Sequence, residues 1–237
     1  MNLILLFPSD FHAPLMSQVS LSGHRREHAV SVCGVEIGST LKVGLINGNM
    51  GTAMVMGITD TTLDLHVTLN EPPPAPLPLT LICALPRPKS LIKCIETATA
   101  MGVKRMLFIN SSRVEKDYWG SRGLEESALL RHMILGLEQA RDTLLPRIEF
   151  KRRFKWFIED DLPGIITGSR ALVAHPYAAK PCPYNYQGPT TLIIGPEGGF
   201  VPHEIEMLEK RGVEAVSFGS RILRVEHAVA ALLGRIM

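Results

Sequence analysis

Two glycine-bearing turns near the carboxyl end of this 237-residue chain hold the residues best suited to chemistry. The first is TLIIGPEGGF, from Thr191 to Phe200, and the second lies in FGSRILRVEHA, from Phe218 to Ala228. Gly195, Gly198, Gly199 and Gly219 lack a Cβ, so the backbone can take positive φ there and bring its amides against a ligand. Each turn stands between an apolar run and a helical stretch, and amides at a helix start favour anionic groups. The second turn adds Arg221, Arg224 and Glu226 around the apolar Ile222 and Leu223. That mixture is awkward for a mere turn and suits a polar ligand carrying a hydrophobic ring. GPEGG lacks the GxxxxGK[ST] spacing and no GxGxxG occurs, which argues against a phosphate loop and against a dinucleotide fold.

These turns need strands and helices to hold them. TLII and VEAVSF read as buried strands. Pro202 sits where a first-turn proline belongs, Glu204 and Glu206 follow it, and Gly212 stops the helix. The last helix is predicted over about Glu226 to Ile236. Upstream, LTLICAL reads as a strand, Lys89 to Met101 as a helix ended by Gly102, and VKRMLFIN as the next strand. A helix over about Leu124 to Thr143 precedes RIEF, Phe154 to Glu159 and RALVAH (Arg170 to His175). Strands alternating with helices predict an α/β unit whose parallel sheet is covered on both faces. Connection rules alone predict an unknotted open sheet.

EPPPAPLP, from Glu71 to Pro78, packs five prolines into eight residues and reads as a linker that is neither helix nor central strand. Before it, short apolar runs separated by Asn-Gly, Gly-Asn and Asp-Thr turns predict the hairpins of a small all-β barrel. The predicted organisation is a β-barrel domain over residues 1–70, a linker over 71–78 and the α/β domain over 79–237.

A content of 46% hydrophobic and 20% charged residues is that of a chain able to bury a full core. The opening MNLILLF has no basic flank or cleavage-like site, and no run approaches the ~20 apolar residues that span a bilayer, so a cytoplasmic location is expected. Cys33, Cys83, Cys94 and Cys182 form no CxxC pair, and no metal is expected. Net charge is only +2, below that of a protein binding nucleic acid by charge alone. Local clusters are candidates for RNA contact: Arg25 and Arg26, and Arg152 and Arg153 beside Phe154, Trp156 and Phe157. Basic residues among aromatics can contact phosphates and stack bases, and the same pattern also fits a solvated amphipathic helix with aromatics in the core.

IGPEGGF followed by VPHE and then FGSRILRVE resembles the carboxyl-terminal signature of the RsmE-type 16S ribosomal RNA uridine-N3 methyltransferases, of the SPOUT class. LEQAR, from Leu137 to Arg141, resembles the Glu-Gln helix of the same family. The resemblance implies a C-terminal trefoil knot in a SPOUT-like parallel sheet, a PUA-like fold for the N-terminal barrel, S-adenosylmethionine as cofactor, a homodimer, and 16S rRNA or the 30S particle as partner. By motif it assigns the cofactor to Ala174, His175, Ile194, Gly195, Pro196, Glu197, Gly198, Gly199, Phe218, Gly219, Ile222 and Leu223. Methylating a uridine imide requires the nitrogen to lose its proton, so orientation and fixed positive charge matter more than a nucleophile. Arg224 is the first candidate for that charge and Arg221 the second, with Glu226 ordering the arginine or bonding the ligand. The chain departs from the family pattern at Val225, His227, Thr97, Ala100 and Gly34. A ribose 2′-O-methyltransferase with the same pocket and a non-catalytic RNA-binding protein of this fold are the alternatives.

Overall fold

Burial follows two different rhythms in the computed structural model, which describes residues 2–12 and 15–237. Strands of the amino-terminal part bury every second residue, whereas those of the carboxyl-terminal part bury continuous runs. The first rhythm belongs to a sheet with one face in the core and the second to a sheet covered on both faces. Two compact units result, one of residues 1–75 with 137–145, the other of 76–136 with 146–237.

The amino-terminal unit contains β1 (Ile4–Leu6), β2 (Phe11–His12), β3 (Leu15–Ser22), β4 (Thr40–Leu45), β5 (Met50–Ile58) and β6 (Thr62–Glu71). They form one six-stranded sheet in the order β1-β4-β5-β6-β3-β2, antiparallel except for the β1–β4 pair. Leu6, Val19, Leu21, Val43, Val55, Leu63 and Leu65 fill its core. The Asn-Gly turn forms as the sequence predicts, with Asn47 at φ 56 between β4 and β5. The unit is not all-β, however: α1 (Gly23–Glu27) and a wider helical turn over His28–Val32 follow β3. In α1 the Arg25 guanidinium forks onto both oxygens of Asp10 at 2.7 Å and also reaches the Leu5 carbonyl.

The segment 137–145 is bound into this unit by polar contacts. Asn47 N–H donates to the Thr143 carbonyl at 2.8 Å, and Leu5 N–H donates to the Glu138 carboxylate at 3.2 Å. Glu138 is buried. Burial pushes its carboxyl above the ordinary range, against the pull of the Leu5 amide and of Arg25.

The carboxyl-terminal unit has β7 (Leu77–Ala84), β8 (Val103–Ile109), β9 (Arg147–Lys151), β10 (Arg170–Ala174), β11 (Thr190–Ile194) and β12 (Glu214–Val216), all parallel, in the order β12-β10-β11-β7-β8-β9. Its helices are α2 (Pro88–Ala100), α3 (Glu126–Ala140, through Gly136 here), α4 (Phe154–Trp156), α5 (Leu162–Ile166), α6 (Pro202–Lys210) and α7 (Val225–Ile236). Gly136 lets α3 close on α2, because a Cβ there would meet the Glu96 carbonyl at 2.8 Å. The helix predicted to reach Thr143 stops at Ala140, since Arg141 takes φ 55 and Asp142 N–H turns back to the Leu137 carbonyl. The proline-rich segment ends earlier than predicted. Pro78 lies within β7, a central strand, at a register step against β8 between Leu77 and Thr80, where a bulge tolerates its missing N–H. No helix among the described residues is long and apolar enough to cross a membrane.

Glu138→Gln keeps an acceptor for Leu5 and removes the ionisation. A carboxyl raised in the folded state carries no penalty below its unfolded pKa and costs stability as pH climbs through the raised value. Thermal melts of both proteins across pH 4 to 8 are expected to show the glutamine variant gaining on the wild type as pH rises. A constant offset would contradict this.

Candidate functional site

The carboxyl ends of β10, β11 and β12 open into a cavity of about 220 Å³. In open parallel sheets ligands bind outside the carboxyl ends of the strands. Every residue assigned to the cofactor by motif lines the cavity: Ala174 and His175 after β10, Ile194 to Gly199 after β11, and Phe218, Gly219, Ile222 and Leu223 after β12. Pro176, Tyr177, Val216, Arg221, Val225, Ala228 and Leu232 complete the wall.

The glycines of the first turn serve two purposes. Gly199 takes φ 72 and its N–H donates to the Pro196 carbonyl at 2.7 Å, closing the turn. Gly195 and Gly198 instead make room for neighbours. A Cβ on Gly195 would stand 3.2 Å from the Phe200 ring and amide, and one on Gly198 would stand 3.0 Å from the Arg113 side chain. In the second turn Gly219 sits at φ 144 with open space around it.

Side chains fasten these turns. The Glu197 carboxylate accepts the Arg87 N–H at 2.9 Å, tying the first turn to the start of α2. Arg113, in the loop after β8, donates to the Gly198 carbonyl. Buried Glu204, at the third position of α6, accepts from Val201 N–H at 2.9 Å and from Ser112 N–H at 2.7 Å. One carboxylate thus satisfies a helix-start donor and anchors the loop after β8. The stretch after β10 is laced to the second turn: Ser217 N–H donates to the Lys180 carbonyl at 2.8 Å and Cys182 N–H to the Ser217 carbonyl at 2.7 Å. Arg235 of α7 bonds the Cys182 carbonyl at 2.7 Å and covers the Phe218 ring.

Among the charged candidates, exposed Arg221 borders the cavity and forms no ion pair among the described residues. Arg224 is the residue capping α7, and its carbonyl accepts the Ala228 N–H while its exposed side chain lies outside the cavity wall. Glu226 is turned toward α2. Its carboxyl is held below the ordinary range first by its own backbone N–H, then by the Ser90 hydroxyl and the Lys93 charge, against the opposing effect of burial. His175 Nδ1 accepts the Tyr177 N–H at 3.3 Å, leaving Nε2 as the donor of a neutral ring.

The RNA candidates fall in different surroundings. Arg25 is committed to Asp10, and Arg26 donates to the Thr59 carbonyl at 2.6 Å. Arg152 lies over the Trp119 ring and Arg153 over the Trp156 ring. Arg87, Arg113 and Glu204 were not singled out for the site from sequence. An acid three residues into a helix was a visible signal for Glu204, but its second partner, Ser112, is distant in the chain. Among the described residues no group of three or more His, Cys, Asp or Glu side chains is placed to hold a metal.

Residues 73–237 match the family model described as "RNA methyltransferase domain". Ribosomal RNA small subunit methyltransferase E of Mycobacterium bovis is 26% identical over 224 residues, covering 91% of this chain and 84% of that protein. Among solved structures, ribosomal RNA small subunit methyltransferase E from Neisseria gonorrhoeae bound to S-adenosyl methionine aligns with a TM-score of 0.73 at 19% identity, over 98% of this chain and 95% of the other. A methyltransferase from Legionella pneumophila in complex with the cofactor SAM aligns with a TM-score of 0.75 at 20% identity, over 98% and 96%. At these identities the structures speak to the fold.

Glu204→Ala would leave two backbone donors without their carboxylate, and a loss of about 3 kcal/mol in unfolding free energy is expected. Urea denaturation beside Glu206→Ala, whose carboxylate meets only the exposed Lys210 and His203 side chains, checks the figure; equal effects from the two substitutions would refute the anchoring role.

Proposed function

The chain belongs to the RNA methyltransferase domain family and is of the RsmE type within it, and from that membership we propose that it transfers a methyl group from S-adenosylmethionine to small-subunit ribosomal RNA, at N3 of a uridine. The observation that carries the reading is the single cavity formed by both glycine turns, with an apolar wall and backbone amides at its rim. Ile194, Leu223 and Val225 offer apolar surface to an adenine ring. Gly219, with no atom within 4 Å of a Cβ position, leaves its backbone open to polar groups. The residues present therefore fit a nucleoside carrying a charged tail.

The cofactor supplies an electrophilic methyl group when bound. The chain's own residues hold the uracil in line with it and stabilise the base once the imide proton has left. In this reading Arg221, which borders the cavity and forms no ion pair among the described residues, meets negative charge on the uracil oxygens, and Arg224 stands three residues on at the start of α7. Glu226 supports this arrangement indirectly, by holding α7 against Ser90 and Lys93 of α2. His175, with Nε2–H available, serves as a donor to the ligand.

A trefoil knot through the laced C-terminal loops, a PUA-like fold for the amino-terminal sheet and a homodimer belong to the same reading. Exposed Tyr177, Phe218 and Ile222 around the cavity mouth are apolar surface of the kind a second copy covers.

Calorimetric titration of S-adenosylmethionine is expected to show one site per chain, weakened at least tenfold, or by about 1.4 kcal/mol, in Leu223→Trp, which fills the cavity from a half-exposed position. Equal affinity would remove the pocket from the argument. Methyl transfer to 30S particles or 16S rRNA, with the product located by nuclease digestion and mass spectrometry, is expected at a uridine N3 and to fall by about 10² in Arg221→Gln. Modification of a ribose hydroxyl would redirect the assignment.

A further inference from the structure

A surface of arginines and aromatic rings borders the first glycine turn and has no part in the cavity. Trp156 is 61% exposed, and Arg153 lies over its ring at 5.8 Å. The preceding residue, Arg152, covers the Trp119 ring at 5.2 Å and donates to the Trp119 carbonyl at 3.3 Å. Trp119 is fixed in place: its indole N–H donates to Asn110 Oδ1 at 3.1 Å, and its edge meets Phe150. Two successive arginines thus lie over two tryptophans.

This surface is tied to the cavity on two sides. Phe154 packs against Phe200, the residue directly after Gly199. Arg113, from the loop that also carries Trp119, holds the Gly198 carbonyl. Nearby Lys155 and Lys151 are engaged with Glu159 and Asp161, whereas Arg152 and Arg153 form no ion pair among the described residues. Their charge is available to a partner.

An exposed indole with a guanidinium over it is a poor solution for a surface facing only water, since the ring forgoes burial and the cation is not neutralised. It is a good solution for a nucleobase and its phosphate, because every base has a π-face and each nucleotide a negative charge. We propose that the Trp119–Arg152 and Trp156–Arg153 pairs form a shelf for single-stranded RNA, on which nucleotides flanking the target base stack while the target enters the cavity. This rests on the methyltransferase reading and adds where the strand runs. Duplex RNA, with its bases already stacked and its edges in grooves, cannot use such a shelf.

The chain has only two tryptophans, Trp119 and Trp156, so its intrinsic indole fluorescence reports on this surface alone. Titration of the full chain with a single-stranded oligouridylate of about twelve nucleotides is expected to quench that fluorescence, and the same length of duplex RNA is expected to quench it far less. Trp156→Leu is expected to weaken single-strand affinity, read by fluorescence anisotropy of a labelled oligonucleotide, by about tenfold. Arg153→Gln is expected to weaken it and to reduce the salt-dependence slope by about one. S-adenosylmethionine affinity of both variants should match the wild type. Unchanged oligonucleotide affinity in both variants overturns the proposal, and loss of self-association in Trp156→Leu with RNA affinity intact would give the surface to a second copy of the chain instead. A wild type that transfers no methyl group to ribosomal RNA would sink the underlying reading, and the titrations would register that separately.

Discussion

Loops at the carboxyl edge of the parallel sheet must be held against one another, because the sheet itself fixes only where each begins. Backbone amides can serve a ligand only if they are held in place, and ordering an irregular loop carries an entropic cost of the order of 1 kcal/mol per residue. Here the cost is met by a few polar bonds between distant segments. Glu204 joins the loop after β8 to the start of α6, Glu197 joins the first glycine turn to α2, and Ser217 laces the second turn to the stretch after β10. The cavity exists where those fastenings converge.

This arrangement separates two kinds of acidic residue that look alike in the chain. Glu197 borders the cavity, yet its carboxylate is occupied by a backbone amide, and Glu226 is occupied by its own helix start and by Ser90. Both act on position. The arginines differ in what they meet: Arg113 holds a carbonyl, Arg235 holds another while covering Phe218, Arg152 and Arg153 lie over tryptophan rings, and Arg221, Arg152 and Arg153 form no ion pair among the described residues. What separates Arg221, Arg152 and Arg153 from Arg25 is the absence of a carboxylate partner among the described residues, a property of the fold and not of residue type.

The amino-terminal unit shows the same economy. Its sheet combines hairpins with the non-local β1–β4 and β3–β6 pairs, and residues 137–145, far away in sequence, join the unit through Glu138 and Thr143. A buried carboxylate accepting a strand amide is an expensive way to attach a segment, tolerated because an unpaired Leu5 N–H would also be costly. Arg25 is consumed in the same neighbourhood by Asp10, so this basic residue of α1 is a structural tie.

Local features were legible in the chain itself: the alternation that makes a parallel sheet, the Asn-Gly hairpin and the helix start at Pro202. Each depends on neighbours within a few positions, where Cβ sterics and periodicity act directly. Resemblance of two motifs in order pointed to the family whose model the chain matches. Other features needed three dimensions. Pro78 inside a central strand is tolerated by a bulge set by β8, α1 interrupts a unit that reads as all-β, and Gly195 is glycine because Phe200 folds back onto it. The orientation of Glu226 toward α2 and the pairing of Trp119 with Arg152 likewise follow from packing between segments dozens of residues apart. A sequence records which groups a residue carries, and only tertiary packing decides which of them are left without a partner.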